Sequence, residues 1–384
     1  MQLKWTVKCE WIYSTKRLIL QGFRGGEKMP GKFRWRSFSD VDIDDRFFDS
    51  LKDDYVEFSE WFQKKCIANE NALVFHDEQG VGAFIYLKRE NEEIELLNCT
   101  LPAIPRVKMG TMRLAERHRG MRLGEGAIGV SLWYWREIFC DEIYVTVFEK
   151  HQELIRLFER FGFICVGRNK RGELVYVKNR RSLDYSDPYK SFPFLNPDIE
   201  IAGIVPIFDA YHDSLFPYSE LKGKDREVEE DTAGNGITKV FIGTPSSTMR
   251  YTEGEPVLIY RIHQGSGQKT YKSAVTSYAT ITKIDIIKLN GIAKVDFDGF
   301  ARTAGNKTVF SADELSKIYH NNTNVVMLEL VYNGYFGKGH NVTHKSLSEG
   351  GYFTTHPYSI RLSKVQLTNI LRMGDVNVSN VIVD

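Results

Sequence analysis

A chain of 384 residues, 42% hydrophobic and 13% aromatic, is long enough to bury a sizeable core, and its length favours two domains over one. Its 51 Lys and Arg against 50 Asp and Glu leave a formal net charge of +1, which excludes a globally basic nucleic-acid binder and moves any such role to local patches. No apolar run approaches the roughly 18 residues of a spanning helix, and the first residues hold no uninterrupted apolar core, so the chain reads as cytoplasmic.

Taken in order, the first 28 residues precede a second methionine, Met29. Residues 1–32 read as an extension, with Met29 a plausible alternative start. FFDSLKDDYVEFSEWFQKKC, residues 47–66, reads as an amphipathic helix with a solvated face. NALVFHD, QGVGAFIYLK and EEIELLNCTL read as successive antiparallel strands, the first two joined by a turn at 77–80, and RVKMGTMRLAE as a fourth. RHRGMRLGEG follows, and then AIGVSLWYWREIF, with Ile128, Leu132, Trp135 and Phe139 at helical spacing. EIYVTVFEK is another strand, HQELIRLFERFG a helix closed by Gly162, and FICVGRNKRGELVYVK a hairpin turning at Arg171 and Gly172.

The stretch YSDPYKSFPFLNPD holds three prolines that interrupt any periodic pattern. The domain boundary is therefore placed there: one domain over 33–182, a linker over 183–200, and a second domain over 201–384. In the second, KVFIGT, EPVLIYRIH, AVTSYATITKIDII, NVVMLELVY and YSIRLSK read as strands, with SADELSKIY and SKVQLTNILRMG as short helices. The five cysteines, Cys9, Cys66, Cys99, Cys140 and Cys165, include no Cys-x-x-Cys pair. That argues against a disulfide framework or a zinc site, and each reads as a lone buried thiol.

A strand running into a glycine-containing loop and then a helix presents backbone N–H groups without intrahelical partners, together with the positive end of the helix dipole. Such a place suits phosphate. Gly120 and Gly124 let the backbone approach an anion, and Arg119 and Arg122 add charge at its rim.

The chain from about 33 to 180 resembles the GNAT superfamily of acetyl-CoA-dependent N-acetyltransferases in two motifs. Arg119-Gly120-Met121-Arg122-Leu123-Gly124 matches its pyrophosphate loop at both ends, with Arg122 where a middle glycine is usual. His151, Leu154, Leu157, Phe158, Gly162 and Phe163 keep the spacing of its second motif. The resemblance implies a mixed sheet flanked by helices, of α/β (α+β) class. It implies acetyl-CoA as cofactor, with pyrophosphate on the backbone of Arg119, Gly120, Met121, Arg122, Leu123 and Gly124. Met112 and Leu114, on a splayed strand, would meet the acetyl and pantetheine groups, the Leu114 amide polarising the thioester carbonyl. The usual acid, a tyrosine, is replaced by Phe158. Glu116 is a candidate base acting through a water, or simply a solvated carboxylate.

The run EGEPVLIYRI, the strand ATITKID and the pattern Pro357-Tyr358-Ser359-Ile360-Arg361-Leu362-Ser363 resemble PUA-like barrels of the ASCH and EVE kind. That likeness implies a mostly β barrel and RNA or modified DNA as partner. Arg250, Tyr251, Tyr260, Arg261, Lys272, Tyr278, Tyr335, Phe336 and Lys338 offer cations and flat groups for such a role, or core packing. Arg168, Lys170, Arg171, Lys178, Arg180 and Arg181 form a basic patch suited to a nucleic-acid backbone or the ribose phosphate of CoA. Two functions of different class follow: an N-acetyltransferase acting on an amine on or near a nucleic acid, and a non-catalytic nucleic-acid-binding or regulatory protein of toxin–antitoxin or defence type. A small-molecule amine is a third acceptor class.

Overall fold

A computed structural model describes residues 32–221, 232–246 and 249–383; the extension and Met29 lie outside the described residues. The chain is mixed α/β. Seven strands form a first sheet: β1 (Arg34–Ser37), β2 (Asn71–Asp77), β3 (Gly80–Glu90), β4 (Arg106–Leu114), β5 (Glu142–Val147), β6 (Ile164–Arg168) and β7 (Leu174–Asn179). Their spatial order is β1-β2-β3-β4-β5-β7-β6, with β4 and β5 parallel and the other neighbours antiparallel. A parallel pair needs a crossover, here helix α2 (Leu123–Glu137). It is preceded by α1 (Phe58–Ile67) and followed by α3 (Gln152–Arg160).

Three expectations change. Residues 92–101 do not join the sheet: Ile94–Glu95 pairs with Thr100–Leu101 as a separate two-stranded ribbon. Only Ile94, Leu96 and Leu101 of this stretch pack, against Tyr144, Val175 and Val177 of the sheet. Its acidic residues and Leu97 stay in solvent, so a full strand has no apolar face to bury. Residues 47–66 form two helices, because Tyr55 is extended at φ −134° and ends the short helix Asp49–Asp54 before α1 begins. Of the thiols described, only Cys140 is buried; Cys99 and Cys165 are exposed, one at the ribbon and one on the edge strand β6.

The second sheet is built from β8 (Ile201–Phe208), β9 (Thr238–Gly243), β10 (Pro256–Ile262), β11 (Ala274–Leu289), β12 (Val325–Tyr335) and β13 (Leu362–Ser363). Its path is β9-β12-β11-β10-β8-β13, with the two-residue strands Ile292–Ala293 and Val342–Thr343 also on β11. Among the described residues β9 and β13 are the two ends of that path. The run YSIRLSK supplies only Leu362–Ser363 as strand, a 3-10 turn taking Pro357–Ser359. The two expected helices form at Ala312–Asn321 and Lys364–Met373, each opened by a serine capping box.

The halves are joined by α2. One stripe of this helix, Glu125, Gly126, Gly129, Trp133 and Arg136, meets the second sheet at i, i+3, i+4 spacing. The Trp133 indole N–H and the Arg136 guanidinium both donate to the Asn333 carbonyl, at 2.8 and 2.9 Å. Gly126 and Gly129 leave room for the Asn235 backbone and the Ile237 side chain. The opposite stripe, with Ile128, Leu132 and Trp135, is fully buried, and one apolar core runs through both halves. Residues 183–200 are also packed: Phe192, Phe194 and Leu195 are buried, and Tyr189 donates to Glu329 at 3.0 Å.

A Cβ on Gly126 would overlap the Asn235 carbonyl oxygen. Gly126→Ala is therefore expected to destabilise the protein by about 1–3 kcal/mol through overpacking, although alanine at a solvent-facing helical glycine gains about 1 kcal/mol. Urea unfolding of the two proteins decides between the signs; a more stable variant would remove the close contact from this account.

Candidate active site

The parallel ladder between β4 and β5 runs from Arg106 opposite Glu142 to Met109 opposite Val145, and there it stops. β4 continues to Leu114 on β3 alone, where Ala83 faces Leu114. Ala115 donates its N–H to the Gly82 carbonyl at 2.8 Å. Alternation along a strand then turns the Leu114 and Met112 amides the other way, into the gap opposite β5. Both side chains are half-buried and pack against the core.

The chain leaves β4 through a 3-10 turn, Glu116–His118, and enters α2 by the loop 119–124. Gly120 has φ +77° with nothing within 4 Å of a built Cβ, so the backbone angle rather than space asks for glycine there. Arg122 is the N-cap at φ +60°, ψ +11°, and provides no side-chain cap. The N–H groups of Gly120, Arg122, Leu123 and Gly124 have no hydrogen-bond acceptor among the described residues. They sit at the positive end of a 15-residue helix. Gly124 lies against Leu157 of α3 and Leu114 of β4. Loop, gap and α3 are thus neighbours, and the donor set suits a polyanion such as a diphosphate.

The arginines behave differently from expectation. Arg119 is largely exposed and meets the equally exposed Glu153 at 3.2 Å, a weak pair. Arg122 turns away from the loop mouth: its guanidinium pairs with Glu125 at 3.0 Å and donates to the Thr238 carbonyl. Glu125 in turn accepts from the Thr238 N–H and hydroxyl, both at 2.6 Å. Burial pushes the Glu125 carboxyl up, but Arg122 and the Thr238 bonds more than offset it and hold it below the usual carboxylate range.

Of the other candidates, Glu116 is exposed at the end of β4. Phe158 is fully buried, edge-on to Phe163 at 5.1 Å. Tyr134, a tyrosine on α2 that the sequence places equally in the core, packs on Trp35 at 5.0 Å, and burial raises its pKa. His151 holds the N-cap position of α3 without a side-chain capping bond. Residues not singled out from sequence are Arg113, Asn235 and Asn306. Arg113 bonds Ser50 and lies over the Phe47 ring, with Asp54, Glu116 and Asp49 acting on its charge. Asn235 and Asn306 reach the loop from the second half. Asn235 belongs to no local motif and Asn306 only to an Asn-x-Thr site that says nothing of the loop, so tertiary structure alone ties them to it.

The expected basic patch does not exist as one surface. Lys178 is buried between the carbonyls of Phe161 and Lys190, and burial lowers its pKa to about 7. Arg180 is buried over the Phe139 and Phe194 rings and donates to Asn380. Arg168, Lys170 and Arg181 pair with Glu149, Glu95 and Asp141. In the second half Tyr251, Tyr260, Tyr278 and Phe336 are core residues, and buried Arg261 is held by Asp213. Among the described residues no His, Cys, Asp and Glu cluster suits a metal ion, and no helix is long and apolar enough to cross a membrane.

No protein-family model matches the chain. Among curated proteins it is similar to the spermine/spermidine N(1)-acetyltransferase of Bacillus subtilis (strain 168), 35% identical over 75 residues, or 19% of this chain and 49% of that protein. The chain thus spans about half the length of that curated relative. Among solved structures it is similar to Arabidopsis thaliana NAA60 in complex with acetyl-CoA, at 18% identity and a TM-score of 0.29, covering 39% of this chain and 100% of that one. It is also similar to the acetyltransferase of GNAT family from Streptococcus pneumoniae, at 12% identity and a TM-score of 0.29, covering 38% of this chain and 99% of that one.

Removing Arg122 strands a buried carboxylate, so Arg122→Ala is expected to lose about 3–5 kcal/mol. Arg122→Gly removes the same pair but relieves a left-handed side chain worth about 1–2 kcal/mol, and should be the less damaged of the two. Because Glu125 titrates below its unfolded value, its contribution is complete at neutral pH and is lost as pH falls through its lowered pKa. Denaturant unfolding from about pH 7 to about pH 3, a window that spans the usual carboxylate range, tests both statements; equal stability of the two variants would show that the φ of Arg122 carries no strain.

Proposed function

We propose that the chain is an acetyl-CoA-dependent N-acetyltransferase in which residues 33–182 carry the transfer and residues 201–384, beyond the connector at 183–200, brace it. The observation that carries this is the gap where β4 runs on past its pairing with β5, immediately beside the open amides at the start of α2. The acetyltransferase name of the Bacillus subtilis relative supports the same chemistry.

Acetyl-CoA would bring a thioester carbonyl open to attack by an amine. In this account the backbone N–H groups of the loop 119–124 hold its diphosphate, and Met112 and Leu114 hold the arm by main-chain bonds along the gap. The Leu114 N–H stands where negative charge grows on the carbonyl oxygen, an oxyanion-type stabilisation. Glu116, exposed at the strand end, takes the amine proton through a water. Phe158 offers no proton, so the sulfur leaves as a thiolate. Thiols ionise near about 8.5, which makes unaided departure feasible close to neutral pH.

For the acceptor, Asp49, Asp54 and Glu116 around Arg113 favour an amine carried by a cationic molecule, in keeping with the polyamines named for the relative. The PUA-like likeness of the second half extends the proposal to RNA or modified DNA as a carrier of that amine. Burial of Tyr251, Tyr260 and Tyr278 takes from that extension the stacking groups it would use.

Calorimetric titration of acetyl-CoA into the full chain tests the proposal, beside an Arg119→Glu/Gly124→Asp variant. Gly124 has its nearest foreign atom 3.5 Å from a built Cβ, so a Cβ itself is accommodated there. Saturable binding that weakens by more than about tenfold, or 1.4 kcal/mol, in the variant is the expected result. No binding by the unmodified protein, or equal binding by both, would sink the proposal.

A further inference from the structure

We propose that Asn235 and Asn306, in the second half of the chain, are positioning residues for the diphosphate loop of the first half, an inference that rests on the acetyl-CoA assignment above. The Asn306 side-chain amide donates to the Gly120 carbonyl at 2.9 Å, and that of Asn235 to the Met121 carbonyl at 3.1 Å. These bonds fix two successive peptide planes of the loop from outside. In a trans peptide the C=O and N–H point in opposite directions. Holding the Met121 carbonyl toward Asn235 therefore aims the Arg122 N–H away from the second half, on the side where α2 presents its open amides. The next plane back is pinned at both ends, since the Met121 N–H donates to the His118 carbonyl at 3.1 Å.

The arrangement answers a departure in the loop itself. Arg122 stands where the resembling family usually has glycine, and it occupies left-handed backbone at φ +60°. A non-glycine residue holds such a conformation only when its surroundings over-determine it. Here they come from the second half: the Thr238 carbonyl takes the Arg122 guanidinium, Gly236 leaves the space it fills, and Asn235 holds the preceding carbonyl.

A second observation marks Asn235 as placed for its donor. The residue is 7% exposed, and its Oδ1 is buried with no hydrogen-bond partner among the described residues. Turning the amide over would set oxygen against the Met121 carbonyl oxygen, so that carbonyl fixes the orientation. Leaving Oδ1 unpaired carries a desolvation cost that an apolar residue would avoid. The loop bond is what the asparagine supplies in return. A diphosphate meeting donors already aimed at it loses less freedom on binding than one that must order a mobile loop.

Asn306 lies on the outside of its turn and its bond is exposed, so Asn306→Ala changes the loop contact without opening a cavity. Asn235→Leu keeps the number and branching of the side-chain heavy atoms and removes the donor, and the unfolding midpoint reports any crowding from its larger methyls. The test is calorimetric titration of acetyl-CoA and of S-acetylpantetheine, which lacks the diphosphate and nucleotide, into the full-length protein, each single variant and the double variant. Thermal unfolding is followed in parallel. Expected is a loss of about tenfold or more in acetyl-CoA affinity for the double variant, a smaller loss for Asn306→Ala with an unchanged unfolding midpoint, and unchanged affinity for S-acetylpantetheine. Undiminished acetyl-CoA binding in the double variant, or an equal loss for both ligands, overturns the positioning role while leaving the cofactor assignment standing. Absence of acetyl-CoA binding by the unmodified protein overturns the assignment and the inference together.

Discussion

The structure depends on a helix buried on two sides. Most α-helices of a sheet protein hide one stripe and wet the other, whereas α2 packs the Ile128, Leu132 and Trp135 stripe and also sets Glu125, Gly126, Gly129, Trp133 and Arg136 against the second sheet. Two kinds of residue make that second contact tolerable. Glycines bring the helix close to Asn235 and Ile237, and the buried Glu125 carboxylate finds Arg122 and both donors of Thr238. A buried carboxylate is held by its hydrogen bonds as well as by attraction, and Glu125 has donors from both Arg122 and Thr238, although Arg122 Nη1 has no acceptor among the described residues. The pair is anchored at the first turn of the helix, directly under the loop that faces the gap.

From that constraint the candidate site inherits its shape. The β4–β5 opening is local to the first sheet, but the loop beside it has one wall in each half. Its Gly120 and Met121 carbonyls are tied to Asn306 and Asn235, and the Arg122 N–H, trans to the second of them, points the other way. The expected rim charges follow the same division. Arg119 stays in solvent, and Arg122 serves the junction instead of the mouth, which leaves backbone dipoles as the main source of positive potential there.

Local chemistry made much of the first half legible in sequence. Runs of β-branched and aromatic residues marked β2, β3, β5 and the β6–β7 hairpin, and the strand–glycine–helix order marked the loop between β4 and α2. Residues 92–101 misled because Ile94 and Leu96 alternate as in a strand, yet Leu101 falls off that spacing and the free edge of β3 was already taken by β4. The second stripe of α2 was illegible for a different reason. Glu125, Gly129 and Arg136 are what a solvent-facing surface looks like, and only the residues near 235 and 333, far along the chain, turn it into an interface. The basic run at 168–181 failed in the same way: counting cations cannot reveal that Lys178 and Arg180 point inward or that Arg168, Lys170 and Arg181 each meet a carboxylate. A spacing of three prolines correctly reported broken periodicity at 185–198, but packing of Phe192, Phe194 and Leu195 is a tertiary fact.

The bond from Trp133 to Asn333 joins residues 200 positions apart, and this bears on how the protein is made. At roughly 5–20 residues per second of synthesis, α2 emerges tens of seconds before the strand that covers it. Throughout that interval the nascent first half presents an uncovered tryptophan and a Glu125 that has Arg122 but not yet the two donors of Thr238. Biosynthesis therefore has a window in which the face of α2 that β9 and β12 later take has no cover from its own chain.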